Sequence, residues 1–346
     1  MPAFWKKKQF WGSIIAVVLL AYCVKDISAA QVRVMYQSVN LYFLIPSIVL
    51  SFGMIIFKAI RWRIIIEKTK KIKLFRIISL FSAGQVINIS MPALTGQVGR
   101  LLLFAKKESL SKTYVFSTIV IEILFDAITM LLFIIFLSTA TFAFPPEYRS
   151  ISIVLAVATA SLIVFLYLVL HYEKQIGAIG RKILRGRWPG VYITLKRFSR
   201  SFTKGIGLLR STQYFFRTFM FSIASWVAHV FLIYFLFNSF GFNLPIIAAV
   251  VIMVVNTIAL MVPITPGNAG TFELVVVAAL LAYGIPKSDA VLFALALHIL
   301  DLIPISIMGL FFLRAEKVNL REIQEQGEKE EILDRVDDLI TEEQKI

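Results

Sequence analysis

Side chains that build metal centres and disulfides are rare in this sequence. Among its 346 residues it has one cysteine, Cys23, and three histidines, at positions 171, 229 and 298. A single cysteine excludes an intramolecular disulfide, and histidines so far apart lack the spacing of a metal site. We therefore expect no metal and no cofactor.

Two motifs of common enzyme classes are also missing. The sequence has no Gly-x-x-x-x-Gly-Lys-Ser/Thr loop, so nothing in it indicates intrinsic ATP hydrolysis. It has no Gly-x-Ser-x-Gly element, the turn that presents the serine nucleophile of α/β-hydrolases. These absences favour a protein that is not an enzyme.

Charged residues are scarce, at 16% of the chain, whereas 58% of the residues are hydrophobic. A soluble domain of this length needs more polar surface. The apolar residues form blocks nearly free of charge, at 9–24, 41–57, 114–144, 151–170, 214–240, 244–262, 271–283 and 290–313. Because a helix needs ~20 such residues to cross the hydrocarbon core, we predict an all-α polytopic membrane protein with about six full spans.

The distribution of charge predicts an orientation and two parts. The net charge is +15, but residues 315–346 hold eleven of the 21 acidic residues and only five of the 36 basic ones. The basic residues before them lie in loops beside apolar blocks, and Lys58, Arg61 and Arg63 are assigned to such a loop after the block 41–57. The positive-inside rule places these loops and both chain ends in the cytoplasm. We predict a transmembrane domain over 1–314 and an acidic cytoplasmic tail over 315–346, in the cytoplasmic membrane.

The segment 173–217 is the most basic loop, with eleven basic residues and one acid. It divides into two basic amphipathic helices at Trp188-Pro189-Gly190. The segment either sets topology alone or also recognises lipid headgroups. Since the positive charge lies beside the membrane, anionic lipids explain it better than nucleic acid.

Two apolar stretches are interrupted by proline and glycine with the same spacing. Residues 92–99 and 263–270 both read Pro-x-x-x-Gly-x-x-Gly. Corresponding interruptions in two halves of a chain are typical of transporter substrate sites. We predict two re-entrant helical hairpins, the first entering from the cytoplasm and the second from outside, related as an inverted repeat; the competing interpretation is chance, since both residues are frequent in membrane helices.

Several ionisable groups lie within the apolar segments, where each costs roughly 2.5–3.5 kcal/mol. We predict that they line a polar cavity in which Arg100 binds an anion and amides freed at the glycines add donors. The predicted substrate-binding residues are Arg100, Asn88, Gly96, Gly99, Gly267 and Gly270. The predicted cavity or coupling groups are Glu122, Asp126, Glu273, Asp301 and His298. Alternatively, Arg100 only forms a structural ion pair with Glu122 or Asp126. Two carboxylates beside one arginine would, however, leave one negative charge without a partner.

The motifs resemble the lysylphosphatidylglycerol synthase transmembrane, or flippase-like, family. The resemblance rests on Asn88-Ile-Ser-Met-Pro92, Gly96-Gln-Val-Gly99-Arg100, Glu122-x-x-x-Asp126 and Pro263-Ile-Thr-Pro-Gly-Asn-Ala-Gly-Thr-Phe-Glu273. It implies a bacterial or archaeal membrane protein that handles anionic lipids or lipid-linked sugars. The chain departs from the family at Gln97-Val98, where an acidic residue is common, and it lacks the soluble aminoacyl-transferase domain, which argues against synthase activity.

Translocation of a lipid is therefore the first functional expectation. The substrate would be an anionic phospholipid or a polyprenyl-phosphate-linked sugar, flipped or scrambled passively or with an ion gradient. Two alternatives are a membrane-embedded transferase and a non-transporting partner of lipid-synthesis enzymes. No persuasive nucleophile supports the transferase.

Overall fold

The computed structural model describes residues 8–25, 27–67, 69–90, 93–139, 211–260 and 265–315, with 157 and 161 as isolated positions. Within these residues the regular structure is helical throughout, which confirms the all-α prediction. The helices are α1 (Lys8–Val24), α2 (Ala29–Ser38), α3 (Leu41–Ile66), α4 (Leu74–Ser90), α5 (Ala93–Glu108), α6 (Lys112–Thr139), α7 (Thr212–Ser239), α8 (Ile246–Ala259), α9 (Thr271–Ala282) and α10 (Lys287–Ala315).

Four of the helices, α3, α6, α7 and α10, are long and apolar enough to cross a membrane. At 1.5 Å per residue each extends about 40 Å, more than the hydrocarbon core of about 30 Å. The shorter apolar helices are α1, α4, α8 and α9, the last with the turn before it. Most of the predicted span 151–170, of the basic segment 173–217 and of the tail 315–346 lies outside the described residues.

Helices α3 and α7 form an antiparallel pair that defines the two ends of the bundle. At one end the Asn40 amide donates to the Ser239 carbonyl at 2.8 Å. At the other, Arg217 lies 3.4 Å from the Glu67 carboxylate. We call the end with Glu67 and Arg217 the basic end, because the loop that follows α3 carries Lys70, and the end with Asn40 the distal end.

The first interrupted stretch is a helical hairpin that enters from the basic end. The start of α4 and the end of α5 lie close together, because Arg76 Nε and Lys70 Nζ both lie 2.9 Å from the Glu108 carboxylate. Near the turn the two helices touch through backbone: a Cβ on Gly96 would lie 2.5 Å from the Asn88 carbonyl oxygen. Glycine at this position permits the close approach.

The second interrupted stretch, α8 and α9, enters from the distal end. Phe242, just before α8, has its ring centroid 5.5 Å from that of Phe293 in α10, whose helix starts five residues after α9 ends. A 3-10 turn, Pro266–Asn268, connects the arms, with Gly267 and Gly270 at φ of +58° and +83°. The hairpins thus enter from opposite ends, as predicted.

Helix α10 connects the two hairpins along their length. It runs from the distal end to the basic end, where Phe312 meets Phe75 of α4 at 5.4 Å between centroids. Helix α1 covers the tip of the second hairpin, because a Cβ on Gly270 would lie 2.6 Å from Leu19 Cβ. The tip of the second hairpin is therefore covered by a neighbouring helix.

Helix α2 was not predicted from the sequence. Its start carries a capping box, in which the Gln31 amide donates to Ser28 Oγ at 3.3 Å and the Ser28 amide donates to Gln31 Oε1 at 2.8 Å. The spacing Ser-x-x-Gln is a known sign of a helix start. The apolar blocks on either side are stronger signals of helical structure, so the start of α2 was not recognised.

Candidate functional site

A buried ion pair joins α3 to α6. Arg61 is fully buried, and its Nη1 and Nη2 donate to Oδ1 and Oδ2 of Asp126 at 2.5 and 3.0 Å. Nη1 also donates to Ser222 Oγ of α7 at 2.9 Å. Two parallel hydrogen bonds of this kind fix both the distance and the orientation of the partners.

A second arginine reaches the same site from the first hairpin. Arg100 Nη2 donates to Glu122 Oε2 at 2.5 Å, and Arg61 Nη2 lies 3.3 Å from the other oxygen, Oε1. The Glu122 carboxylate is therefore held between two guanidinium groups. We call Arg61, Arg100, Glu122 and Asp126 the arginine cluster.

The arginine cluster corrects one expectation from the sequence. Two carboxylates beside Arg100 were expected to leave negative charge to spare, but Arg61 supplies a second positive charge. The cluster is balanced at two charges of each sign. The ion pair between Arg100 and Glu122, the alternative interpretation, is present in the structure.

Local packing explains how α5 presents Arg100. The guanidinium carbon lies 4.8 Å from the ring centroid of Phe81 and 5.3 Å from that of Phe104. A Cβ on Gly84 of α4 would lie 2.9 Å from Arg100 Cγ, so only glycine leaves room for the side chain. The aromatic faces stabilise the cation while it is away from water.

The carboxylates of the cluster come from one face of α6. Glu122 and Asp126 are four residues apart, so their side chains project on the same side, one turn above the other. Glu122 lies about 15 Å and Asp126 about 21 Å along α6 from its start at Lys112. The cluster is therefore deep within the apolar part of the bundle.

Arg61 is the functional residue that the sequence analysis missed. It follows Lys58 and precedes Arg63, and the three were assigned to a cytoplasmic loop after a span ending at position 57. The helix continues to Ile66, and the residues after Arg63 are three isoleucines. An apolar run that resumes after a basic residue was the available signal that this residue lies within the span.

A second polar cluster lies at the tip of the second hairpin. The Gly270 amide donates to Glu273 Oε2 at 2.7 Å, and Glu273 Oε1 lies 2.7 Å from His298 Nδ1. The other ring nitrogen of His298, Nε2, lies 3.0 Å from the Gly267 carbonyl oxygen. We call Gly267, Gly270, Glu273 and His298 the tip cluster.

The tip cluster holds the hairpin turn to α10. Glu273 caps the start of α9 and turns its second oxygen to His298, while the Phe272 ring stacks on the imidazole at 4.3 Å between centroids. Glu273 is 3% and His298 is 7% exposed. The imidazole is therefore fixed on both nitrogens and on one face.

Further polar side chains lie between the two clusters. Trp226 Nε1 donates to Asp126 at 2.9 Å, and its ring centroid lies 6.1 Å from that of His229 on the same helix. His229 Nε2 is 3.3 Å from Asp301 Oδ1 but is not aligned for a hydrogen bond. Asp301 is one turn from His298 on α10. The predicted single cavity is thus two clusters joined by this series.

The remaining predicted ligands lie near the first hairpin turn. Asn88 is half-buried, and its backbone abuts Gly96. Gly99 is buried, directly before Arg100. Their role in binding a substrate stays a prediction.

Comparison with known proteins agrees with this architecture. Residues 9–309 match the family described as the lysylphosphatidylglycerol synthase TM region. A UPF0104 membrane protein, PH1989 of Pyrococcus horikoshii, is 21% identical over 334 residues, which span 90% of this chain and 98% of that protein. The match is to the transmembrane region of the family and includes both interrupted stretches and both polar clusters. The chain therefore belongs to the lysylphosphatidylglycerol synthase transmembrane-region family.

Proposed function

We propose that this protein moves an anionic phospholipid or a lipid-linked glycan carrier from one leaflet to the other, without hydrolysing ATP. Membership of the family supports a lipid-related role in the membrane. The choice of translocation, and of an anionic headgroup, is supported by the chemistry of the arginine cluster.

The observation that carries the proposal is the position of Glu122 between Arg61 and Arg100. Arg61 is already neutralised by Asp126, so charge balance alone does not require it to approach Glu122 as well. Here two guanidiniums approach the two oxygens of one carboxylate, at 2.5 and 3.3 Å. A phosphate group presents oxygens with similar spacing and binds guanidinium in the same bidentate way. Glu122 therefore occupies the place that a lipid phosphate would take.

Spare hydrogen-bond donors support this interpretation. Arg61 Nε and Arg100 Nε are both buried, and neither has a hydrogen-bond partner among the residues that the structure describes. A buried donor without a partner costs roughly 1–3 kcal/mol. A phosphate, with more oxygens than a carboxylate, satisfies donors that Glu122 leaves free.

The cluster is most open at Asp126. Its side chain is 27% exposed, whereas those of Glu122 and Arg100 are 6% and 4% exposed. Lys58, half-buried one turn before Arg61, lies over the Trp226 ring at 5.0 Å beside this opening. We infer that the headgroup enters here while its acyl chains remain in the lipid, and that Lys58 adds attraction for its negative charge.

The test is lipid translocation in proteoliposomes, measured with fluorescent phosphatidylglycerol and with phosphatidylcholine. Arg100→Lys and Arg61→Lys keep the charge but lose the planar fork, so each should slow phosphatidylglycerol movement about tenfold or more. Arg76→Lys, which alters an arginine paired with Glu108 at the basic end, is the matched control. Unfolding temperature is followed in parallel.

Two results would contradict the proposal. Arg61→Ala and Arg100→Ala proteins that remain folded and move lipid at the normal rate would show that the cluster does not bind the headgroup. A wild-type protein that binds anionic lipid but does not move it would instead favour the role of a partner in lipid synthesis.

A further inference from the structure

Both ring nitrogens of His298 face hydrogen-bond acceptors. Nε2 lies 3.0 Å from the Gly267 carbonyl oxygen, which can only accept. Nε2 must therefore carry a proton. Nδ1 lies 2.7 Å from Glu273 Oε1, and a contact that short between a nitrogen and an oxygen needs a proton between them.

These contacts fix the number of protons on the pair. Whether the shared proton is assigned to His298 Nδ1 or to the Glu273 carboxyl group, the pair holds two protons and is neutral as a whole. The second carboxylate oxygen, Oε2, accepts from the Gly270 amide at 2.7 Å and needs no proton of its own. The arrangement seen here is therefore the two-proton form of the pair.

Loss of one proton would break one of these contacts. If Nδ1 loses its proton, its lone pair faces the lone pairs of the Glu273 carboxylate. If Nε2 loses its proton, its lone pair faces the Gly267 carbonyl oxygen. Either contact becomes repulsive in a buried site, where the low dielectric strengthens the repulsion. Release of a proton therefore separates α10 from the tip of the second hairpin.

We propose that Glu273 and His298 form the binding site of a coupling proton, and that its release unlatches the second hairpin during lipid movement. The inference rests on the proposed lipid translocation and names the ion that drives it. We call the contacts of His298 with Glu273 and with the Gly267 carbonyl oxygen the latch. One proton is taken up from water on one side of the membrane when the latch closes. The same proton leaves to water on the other side when the latch opens.

Other titratable groups surround the latch. Asp301 lies one turn along α10 toward the basic end and is 3.3 Å from His229 of α7. Cys23 of α1 is buried, and its thiol interacts electrostatically with Glu273 and with Lys287. Lys287 lies at the start of α10. The remaining contacts of the imidazole described above, the Phe272 ring and the hairpin backbone, do not titrate.

The tip of the second hairpin can change conformation when Glu273 and His298 lose a proton. Gly267 and Gly270 have positive φ, so the turn adopts a backbone conformation that glycine permits. Glu273 also caps α9 through the Gly270 amide, which ties the proton site to the start of that helix. A change at one side chain thus acts on both the turn and the helix behind it.

The first test is transport under a pH gradient, with the electrical potential clamped, in proteoliposomes holding fluorescent phosphatidylglycerol. If one proton moves per lipid, each unit of gradient should shift the leaflet ratio of the lipid by up to about tenfold. Glu273→Gln and His298→Gln should still equilibrate the lipid but lose this shift. Asp289→Asn, which alters a carboxylate at the start of α10, should behave as the wild type.

The outcomes separate the two proposals. A wild-type protein that equilibrates lipid but shows the same leaflet ratio at every gradient overturns the coupling proton and leaves translocation intact. A wild-type protein that moves no lipid under any gradient overturns both. Loss of the shift in Asp289→Asn as well would remove the assignment to Glu273 and His298.

A second measurement does not depend on transport. Asn268→Cys in a Cys23→Ala background places a thiol in the turn, and its labelling rate is compared with that of Tyr42→Cys, exposed at the distal end. The ratio of the two rates corrects for the ionisation of the thiols. It should rise several-fold between about pH 5 and pH 9 as the latch opens, and His298→Gln should make it constant. A ratio that does not change with pH in the protein with His298 intact would show that no latch exists.

Discussion

Arg61 and Asp126, 65 positions apart in the chain, hold each other through two parallel hydrogen bonds at 2.5 and 3.0 Å. The pair fixes α3 against α6, with the Arg61 side chain fully buried and that of Asp126 partly exposed. Ser222 of α7 and Trp226 of the same helix complete the hydrogen bonds of the two partners. Three membrane-spanning helices are therefore joined at one ion pair.

Removal of Arg61 should destabilise the protein strongly. Arg61→Ala leaves the partly exposed Asp126 without its ion-pair partner, which should cost up to roughly 3–5 kcal/mol of unfolding free energy. Arg61→Ala combined with Asp126→Ala should cost less than Arg61→Ala alone, because no charge is left without a partner. Unfolding in detergent, followed by circular dichroism, measures both effects.

A surface ion pair provides the control for that experiment. Arg217 and Glu67 lie 3.4 Å apart at the basic end, with side chains 46% and 26% exposed. Arg217→Ala should change the free energy by less than about 1 kcal/mol. If Arg61→Ala is equally mild, the cluster does not hold α3 to α6.

Much of this fold follows from patterns in the sequence, but the partner of Asp126 does not. Proline and glycine predicted both hairpins because several of them lie within eight residues, whereas the single prolines Pro46 and Pro304 lie inside continuous helices. The charge of the loops predicted the opposite entry of the two hairpins. The four-residue spacing of Glu122 and Asp126 placed both on one helix face. Arg61 was assigned to a loop because its neighbours are basic and local hydropathy falls there. Only the packing of α3 against α6 and α7 shows that the helix continues and that Arg61 points inward.

The two clusters could not be separated from sequence for a related reason. Glu273, His298 and Asp301 were recognised as membrane-embedded groups, but their partners depend on the path of the hairpin turn. Gly267 was predicted to offer an amide to a substrate, whereas its carbonyl oxygen contacts His298. That orientation depends on the positive φ of Gly267, which the Pro266-Gly267 pattern favours, but the pattern does not specify which group the carbonyl oxygen contacts.

Gly309 should be required for contact between α10 and α4. A Cβ there would lie 2.6 Å from the Ser82 carbonyl oxygen and would also meet the Val86 side chain. Because the backbone of α4 cannot yield locally, Gly309→Ala should cost about 1–3 kcal/mol of unfolding free energy. Gly53→Ala in α3 is the matched control, since its Cβ would be 4.0 Å from Phe57. It should be stabilising by roughly 0.5–1 kcal/mol, and equal effects of the two substitutions would contradict the proposed contact.

The basic end should face the cytoplasm. In a Cys23→Ala background, Tyr42→Cys lies at the distal end and Lys73→Cys at the basic end, both at exposed positions. An impermeant maleimide added to intact cells should label Tyr42→Cys and should label Lys73→Cys only after permeabilisation. The positive-inside rule gives the reason. The reverse labelling pattern would invert the orientation while leaving the fold unchanged.

Gly270 should be less tolerant of alanine than Gly284, although both have positive φ, at +83° and +77°. At Gly284 no atom lies within 4 Å of the Cβ position, so alanine there brings only backbone strain, of order 1 kcal/mol. At Gly270 the same strain is joined by contacts at 2.6 Å from Leu19 Cβ and 2.9 Å from the Ala16 carbonyl oxygen. The difference in unfolding free energy between Gly270→Ala and Gly284→Ala therefore measures how tightly α1 covers the hairpin tip, and overpacking predicts about 1–3 kcal/mol. Leu19→Gly removes the Cβ at the shorter contact, so combining it with Gly270→Ala should recover part of the loss, by a coupling that a double-mutant cycle resolves. If the two glycine substitutions cost the same, α1 does not pack on the tip.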